Sequence, residues 1–230
     1  MLTRVSLIIL FISFISGCSN QGSEQLNEEH NSVLNTPVLA ESNPGDISVV
    51  CSVLYNVDDF NSWLIEYNKI GHETIVILRN VDDPSLVIVF EGGQSKDMVE
   101  GRTSELVEAD FLDAATVNGD HVVSYYDVQY MGSSEKEYKH YVALIFNTKD
   151  INQFLASLKK DLSHYVDYGL TPMGIGTNPS NPEQVYMLLT LEDFITFRKS
   201  TNSPRKINRF ISSLNLPDET LILNWARADL

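Results

Sequence analysis

Cysteine, basic residues and long apolar runs are all scarce in this 230-residue chain, and each scarcity removes a class of function. The two cysteines, Cys18 and Cys51, exclude a disulfide-stapled scaffold, so stability has to come from packing. The five histidines, at positions 30, 72, 121, 140 and 164, never recur at the i, i+4 spacing of a helical metal site. Neither a bound metal nor a cofactor is expected. Lys and Arg number 16 against 31 Asp and Glu, and the resulting charge of −15 leaves no basic stripe to displace counterions from a phosphate backbone. Nucleic acid is therefore not expected as a partner. The small basic groups at Lys159-Lys160 and within 198–209 read as solvated helix faces. No nucleophile elbow occurs, and Gly174 and Gly176 have no helix behind them with which to cradle a phosphate. No apolar run reaches the ~20 residues of a membrane-spanning helix.

What is present begins at the N-terminus. Arg4 heads a short apolar run, 5–15, and the small residues Ser16 and Gly17 stand directly before Cys18. This is the order of a secretory signal peptide, here 1–17. Ile15-Ser16-Gly17-Cys18 resembles the lipobox of bacterial lipoproteins. That resemblance implies a diacylglyceryl group on the Cys18 thiol, cleavage before Cys18, and a further acyl chain on the freed amine. It places the protein in the cell envelope, at the outer membrane where the cell has one, because Ser19 rather than aspartate follows the cysteine. Loss of Arg4 takes the net charge from −15 to −16, so anionic membrane surfaces repel the body and the lipid must do the anchoring. With Cys18 lipidated, Cys51 has no disulfide partner. Its neighbours Val49, Val50, Val53 and Leu54 make it a buried, inert thiol.

Residues 18–46 are polar and rich in Asn, Ser, Glu and Pro, a composition that reads as a flexible tether. Beyond it the chain repeats itself. Residues 52–64 lie over 143–155 at an offset of 91, bringing Asn56 to Asn147, Asp59 to Asp150, Asn61 to Asn152 and Leu64 to Leu155. Residues 79–84 lie over 177–182 at an offset of 98, and 121–126 over 220–225 at an offset of 99. The two copies are expected at 47–131 and 139–230.

Pattern sets the elements of each copy. Residues 49–55 are apolar and β-rich. After the cap Asp58-Asp59, the residues Phe60, Trp63, Leu64 and Tyr67 fall at i, i+3, i+4, i+7, one face of a helix. Strands at 74–78 and 86–90 flank the turn Asp82-Asp83-Pro84-Ser85. Helices at 96–101 and 104–115 and a last strand at 122–130 complete the order βαββαβ. The second copy repeats it, with strands at 141–146, 173–176, 185–189 and 220–225. The order is that of the ferredoxin-like split βαβ unit, whose two helices cover one face of a four-stranded sheet and leave the other bare. The expected fold class is α+β, two tandem ferredoxin-like units packed sheet to sheet as a pseudo-dimeric α/β barrel.

Arg79-Asn80-Val81-Asp82-Asp83-Pro84 between two strands, Asp59-Phe60-Asn61-Ser62-Trp63 opening the first helix, and the βαββαβ order together resemble the dimeric α/β-barrel superfamily, including its antibiotic-biosynthesis-monooxygenase-like branch. That superfamily holds cofactor-independent oxygenases, haem-degrading enzymes, isomerases and ligand binders, so the resemblance implies a fold and a central cavity without fixing a reaction. The candidates to line such a cavity are Tyr125, Asn224, Trp225 and Arg79, with Tyr125 and Asn224 as an equivalent pair at offset 99. The function expected is that of an envelope lipoprotein binding a small organic ligand or a protein partner. The alternative is a cofactor-independent oxygenase or isomerase.

Overall fold

The computed structural model describes residues 47–71, 74–119, 121–132 and 138–228. The expected signal peptide 1–17, the tether 18–46 and the lipidation site Cys18 lie outside the described residues. Two βαββαβ runs follow one another. The first comprises β1 (Val49–Asn56), α1 (Phe60–Ile70), β2 (Val76–Asn80), β3 (Leu86–Gly93), α2 (Lys96–Glu105), α3 (Ala109–Ala114) and β4 (Val122–Met131). The second comprises β5 (His140–Asn147), α4 (Ile151–Val166), β6 (Leu170–Asn178), β7 (Asn181–Leu191), α5 (Phe194–Thr201), α6 (Pro204–Ser213) and β8 (Leu221–Arg227).

The repeat holds residue by residue. β1 and β5 begin and end 91 positions apart, and the helices that follow start on Asp caps at the same offset. Asp59 accepts from the Asn61 amide at 3.1 Å, and Asp150 from the Gln153 amide at 3.0 Å. Each cap satisfies one of the amides that a helix start leaves unpaired. The turns after β2 and β6 are also the same device. The side-chain carbonyl of Asn80 accepts from the amides of Asp82 and Asp83, and that of Asn178 from the amide of Ser180.

Within each half the strand order is β4-β1-β3-β2 and β8-β5-β7-β6, antiparallel throughout. The halves then join edge to edge. β2 pairs with β8 through Leu78↔Arg227, Arg79↔Ala226 and Asn80↔Trp225. β4 pairs with β6 from Asp127↔Thr177 to Met131↔Gly174, with a bulge between Val128 and Tyr130. Both seams together close one eight-stranded antiparallel barrel, so the two sheets meet along their edges as well as through their inner faces. Closure removes four open strand edges, each a template for aggregation.

Three apolar clusters follow from this arrangement. Outside the barrel, Cys51, Val53, Tyr55, Ile77, Val87 and Val89 pack under Trp63 and Tyr67 of α1 and Val99 of α2. On the other half, Val142, Leu144, Phe146, Val185, Met187 and Leu189 pack under Leu158, Phe197 and Phe210. Inside the barrel, Val76, Leu78, Ile88, Phe90, Tyr141, Ala143, Tyr186 and Trp225 meet. β1 and β5 are thus buried on both faces, under helices on one side and within the barrel on the other.

Residues 47–131 produced alone would expose the edges of β2 and β4 and the inner face with Leu78, Ile88 and Phe90. We expect that fragment to self-associate or aggregate in light-scattering measurements. A stable monomer that binds no dye for exposed apolar surface would show the halves to be independent.

Candidate functional site

Strand parity decides which side chains reach the barrel interior. In β1, Cys51, Val53 and Tyr55 face the helices, so Val50, Ser52 and Leu54 face inward. Residues paired across neighbouring strands share a face. Tyr125, opposite Cys51, therefore points outward, and the next residue, Tyr126, points in.

This corrects the expectation that Tyr125 and Asn224 line a shared cavity. Tyr125 lies beneath α2, its hydroxyl 3.4 Å from Thr103 Oγ1 and its ring centroid 5.2 Å from Lys96 Nζ. Asn224 pairs with Val142, which faces the helices, and its Nδ2 donates to Asp82 Oδ2 at 3.1 Å. Asp82 in turn holds Arg198 of α5 at 2.9 Å. The two positions are equivalent, as the offset of 99 implies, but both belong to the outer layer. Arg79 also points outward. Its guanidinium lies 4.8 Å from the Phe60 ring centroid and its Nε donates to the Pro84 carbonyl at 2.6 Å, which ties the β2–β3 turn to α1. Of the four candidates Trp225 alone faces inward, packed in the interior cluster beside Tyr141 but not itself part of the lining of the pocket described next.

A cavity of about 120 Å³ occupies one side of the barrel interior, bounded by Phe90, Tyr126, Tyr130, Met131, Tyr141, Met173, Gly174, Gly176, Tyr186 and Leu188, with Val50 and Ile75 toward solvent. Its position follows from a difference between the halves. Val76 and Leu78 of β2 project into the barrel, and the equivalent positions in β6, at offset 98, are Gly174 and Gly176. The partner across the ladder changes in step. Leu78 pairs with Ile88, whereas Gly176 pairs with Tyr186. A Cβ on residue 176 would come within 2.7 Å of Tyr126 Cβ, so only glycine lets Tyr126 lie against β6. Left empty, a cavity of this size would cost as much as about 3 kcal/mol at ~24 cal/mol per Å³.

The pocket is apolar with a phenolic floor. The Tyr126 and Tyr186 ring centroids are 5.1 Å apart, and Phe90 is 5.8 Å from Tyr186. Burial raises the pKa of both phenols, most strongly that of Tyr186, where the neighbouring phenol of Tyr126 adds to it. Both stay protonated at neutral pH and can act as donors. Ser52 and Ser124 beside Tyr126 partly offset the effect of its burial, while the hydroxyl of Tyr186 is buried with no partner among the described residues. Of these residues Gly174 and Gly176 were legible in part, since a Gly-x-Gly inside a strand signals a close approach or a gap on one face, whereas Tyr126 and Tyr186 were missed.

The outer layer of the first half carries a second group of polar residues. Glu91, fully buried, accepts from the Tyr67 hydroxyl at 3.0 Å, and Cys51 lies opposite both Glu91 and Tyr125. Among the described residues no cluster of His, Cys, Asp or Glu could hold a metal ion, and no helix is long and apolar enough to cross a membrane.

No protein-family model matches the sequence, and no curated protein does. Solved structures do match the fold. A candidate monooxygenase from Lactobacillus acidophilus NCFM superposes with a TM-score of 0.55 at 13% identity, over 78% of this chain and 94% of that one. An anthrone oxidase-like protein gives 0.54 at 11% identity, over 80% and 92%. A haem-binding protein from Thermus thermophilus gives 0.51 at 12% identity, over 80% and 92%. The fold is thus the dimeric α/β barrel, built here from two ferredoxin-like units of a single chain.

Burial pushes the Cys51 thiol up to about 12, ahead of the opposing effect of Thr103 and Tyr125. In a Cys18→Ser chain we therefore expect no thiol to react with an aromatic disulfide reagent at pH 8 in the folded state, and one to react in denaturant. Rapid native reaction would show that the layer between β1 and α2 opens readily.

Proposed function

We propose that this chain is an exported lipoprotein, held in the cell envelope through a lipid on Cys18, whose barrel binds a small, largely apolar molecule. The observation that carries the binding half of this reading is the glycine wall of β6, which opens a pocket in one half where its twin is filled. The anchoring half rests on the order Arg4, apolar run, Ser16-Gly17-Cys18.

A second reading draws on the neighbours described as a candidate monooxygenase and as anthrone oxidase-like, namely a cofactor-independent oxygenase or isomerase. Such reactions begin by removing a proton from the substrate. The pocket lining has no carboxylate, imidazole or thiol, and burial raises the pKa of its Tyr126, Tyr130 and Tyr186 phenols, so the lining favours binding over catalysis. Haem, bound by the Thermus neighbour, does not fit these residues. About 120 Å³ is less than the ~150 Å³ cavity that accommodates a single benzene, far too small for a porphyrin.

Cys18→Ser tests the anchor. Each buried CH₂ of an acyl chain contributes ~0.8 kcal/mol to membrane binding, so its loss is expected to leave unprocessed or soluble protein on fractionation. If the variant stays with membranes after a salt wash, the lipid anchor is the wrong account.

A further inference from the structure

We infer that the basic α5–α6 face of one copy of this chain docks on the acidic α2–α3 face of a second copy, joining copies head to tail. The contact lies outside the barrel and is independent of the pocket reading.

The two faces are one structure built twice. Val99 and Phe197, 98 positions apart, are the buried residues of α2 and α5, and Thr103 and Thr201 donate to their carbonyls at 2.9 and 3.0 Å. After α3 and α6 the chain turns through Thr116 and Asn215, 99 positions apart, at φ of 52° and 53°. On this shared backbone the charge is inverted. Residues 194–213 hold five basic side chains, all exposed, and no carboxylate, a net +5 in a chain that has only 16 bases in all. Residues 96–114 hold six exposed carboxylates against two bases, a net −4. At matching positions Glu100 is replaced by Arg198, and Asp110 by Arg209.

Each face also presents an apolar side chain to solvent. Met98 of α2 is 52% exposed and Ile195 of α5 is 56% exposed, two of the four large apolar side chains so exposed among the described residues. A partner that covers such a residue while opposing the charge around it offers both halves of a specific contact. Each face has that partner in the other.

Geometry then decides how the faces meet. In the barrel order β1-β3-β2-β8-β5-β7-β6-β4, the strands beneath α2, β1 and β3, stand diametrically opposite β5 and β7, which lie beneath α5. The two faces of one copy point away from each other. They cannot pair within it, and a two-fold dimer cannot use both contacts, so the arrangement that satisfies both is a ring or a row of copies. The net charge of −15 opposes approach at long range, but at physiological salt repulsion is screened beyond about 8 Å while touching pairs keep their attraction. An anionic membrane would match the basic face alone, and it would repel the rest of the body.

Sedimentation velocity on the chain lacking residues 1–17 and carrying Cys18→Ser tests the contact. Association that grows with protein concentration is expected at about 0.1 M salt and is expected to be lost at about 1 M, where screening reaches ~3 Å. Arg205→Glu with Arg209→Glu damages only the basic face, and Asp110→Arg with Asp113→Arg only the acidic one. All four side chains are exposed, so both variants are expected to fold, and each alone is expected to stay monomeric. Mixed, they retain one intact face each and are expected to form a one-to-one dimer that grows no further. A single monomeric species up to about 1 mM at the lower salt would overturn the proposal, as would a mixture that stays monomeric or a variant that associates like the parent. Monomeric behaviour together with binding to phosphatidylglycerol vesicles, lost in Arg205→Glu with Arg209→Glu, would overturn it in favour of a membrane-facing surface.

Discussion

A four-stranded sheet with helices on one face has two problems, a bare apolar face and two open edges, and the architecture of this chain is the joint solution to both. Pairing β2 with β8 and β4 with β6 closes the edges, and the same closure turns the two bare faces toward each other as a barrel interior. Everything else depends on that closure. β1 and β5 can be apolar on both faces because they are central and doubly covered. The interior can carry tyrosines because the wall packs their rings against one another and against Phe90.

Closure by two copies of one unit also means that each half is a reference for the other. Where they agree, the reason is local: the Asp caps at 59 and 150 and the Asn turns at 80 and 178 perform the same task in both. Where they differ, the difference is informative. Leu78 against Ile88 in one half becomes Gly176 against Tyr186 in the other, so bulk has moved from one strand to its neighbour and left a gap beside it. In the outer layer, Cys51 and Glu91 of the first half stand where Val142 and Leu189 stand in the second, a polar layer against an apolar one.

The element order was legible because caps, turns and helix periodicity are local signals. The offset of 91 places β1 over β5 and α1 over α4 without error in register. The facing of the strands was not legible. In Val50-Cys51-Ser52-Val53-Leu54-Tyr55 both alternating sets are apolar enough for a core, because both faces are in fact buried, and period-2 patterning loses its contrast under those conditions. The choice of Tyr125 and Asn224 over Tyr126 and Trp225 turned on that one-residue ambiguity. The pocket was hidden for a second reason. Its walls come from β3, β4, β6 and β7 together, and only the glycines of β6 leave a mark in the linear sequence.

The two seams differ in construction. β2 and β8 are backed by the Asn224–Asp82–Arg198 chain, which reaches from one half to a helix of the other. β4 and β6 carry a bulge, two glycines and a Gln129-to-Thr177 side-chain bridge at 3.1 Å. Ladder bonds beside a bulge and beside residues without side chains break at lower free energy than those of a packed seam. The hollow side of the barrel is therefore walled by the seam that carries the bulge and the glycines. The interior communicates with solvent along the side where it is also hollow.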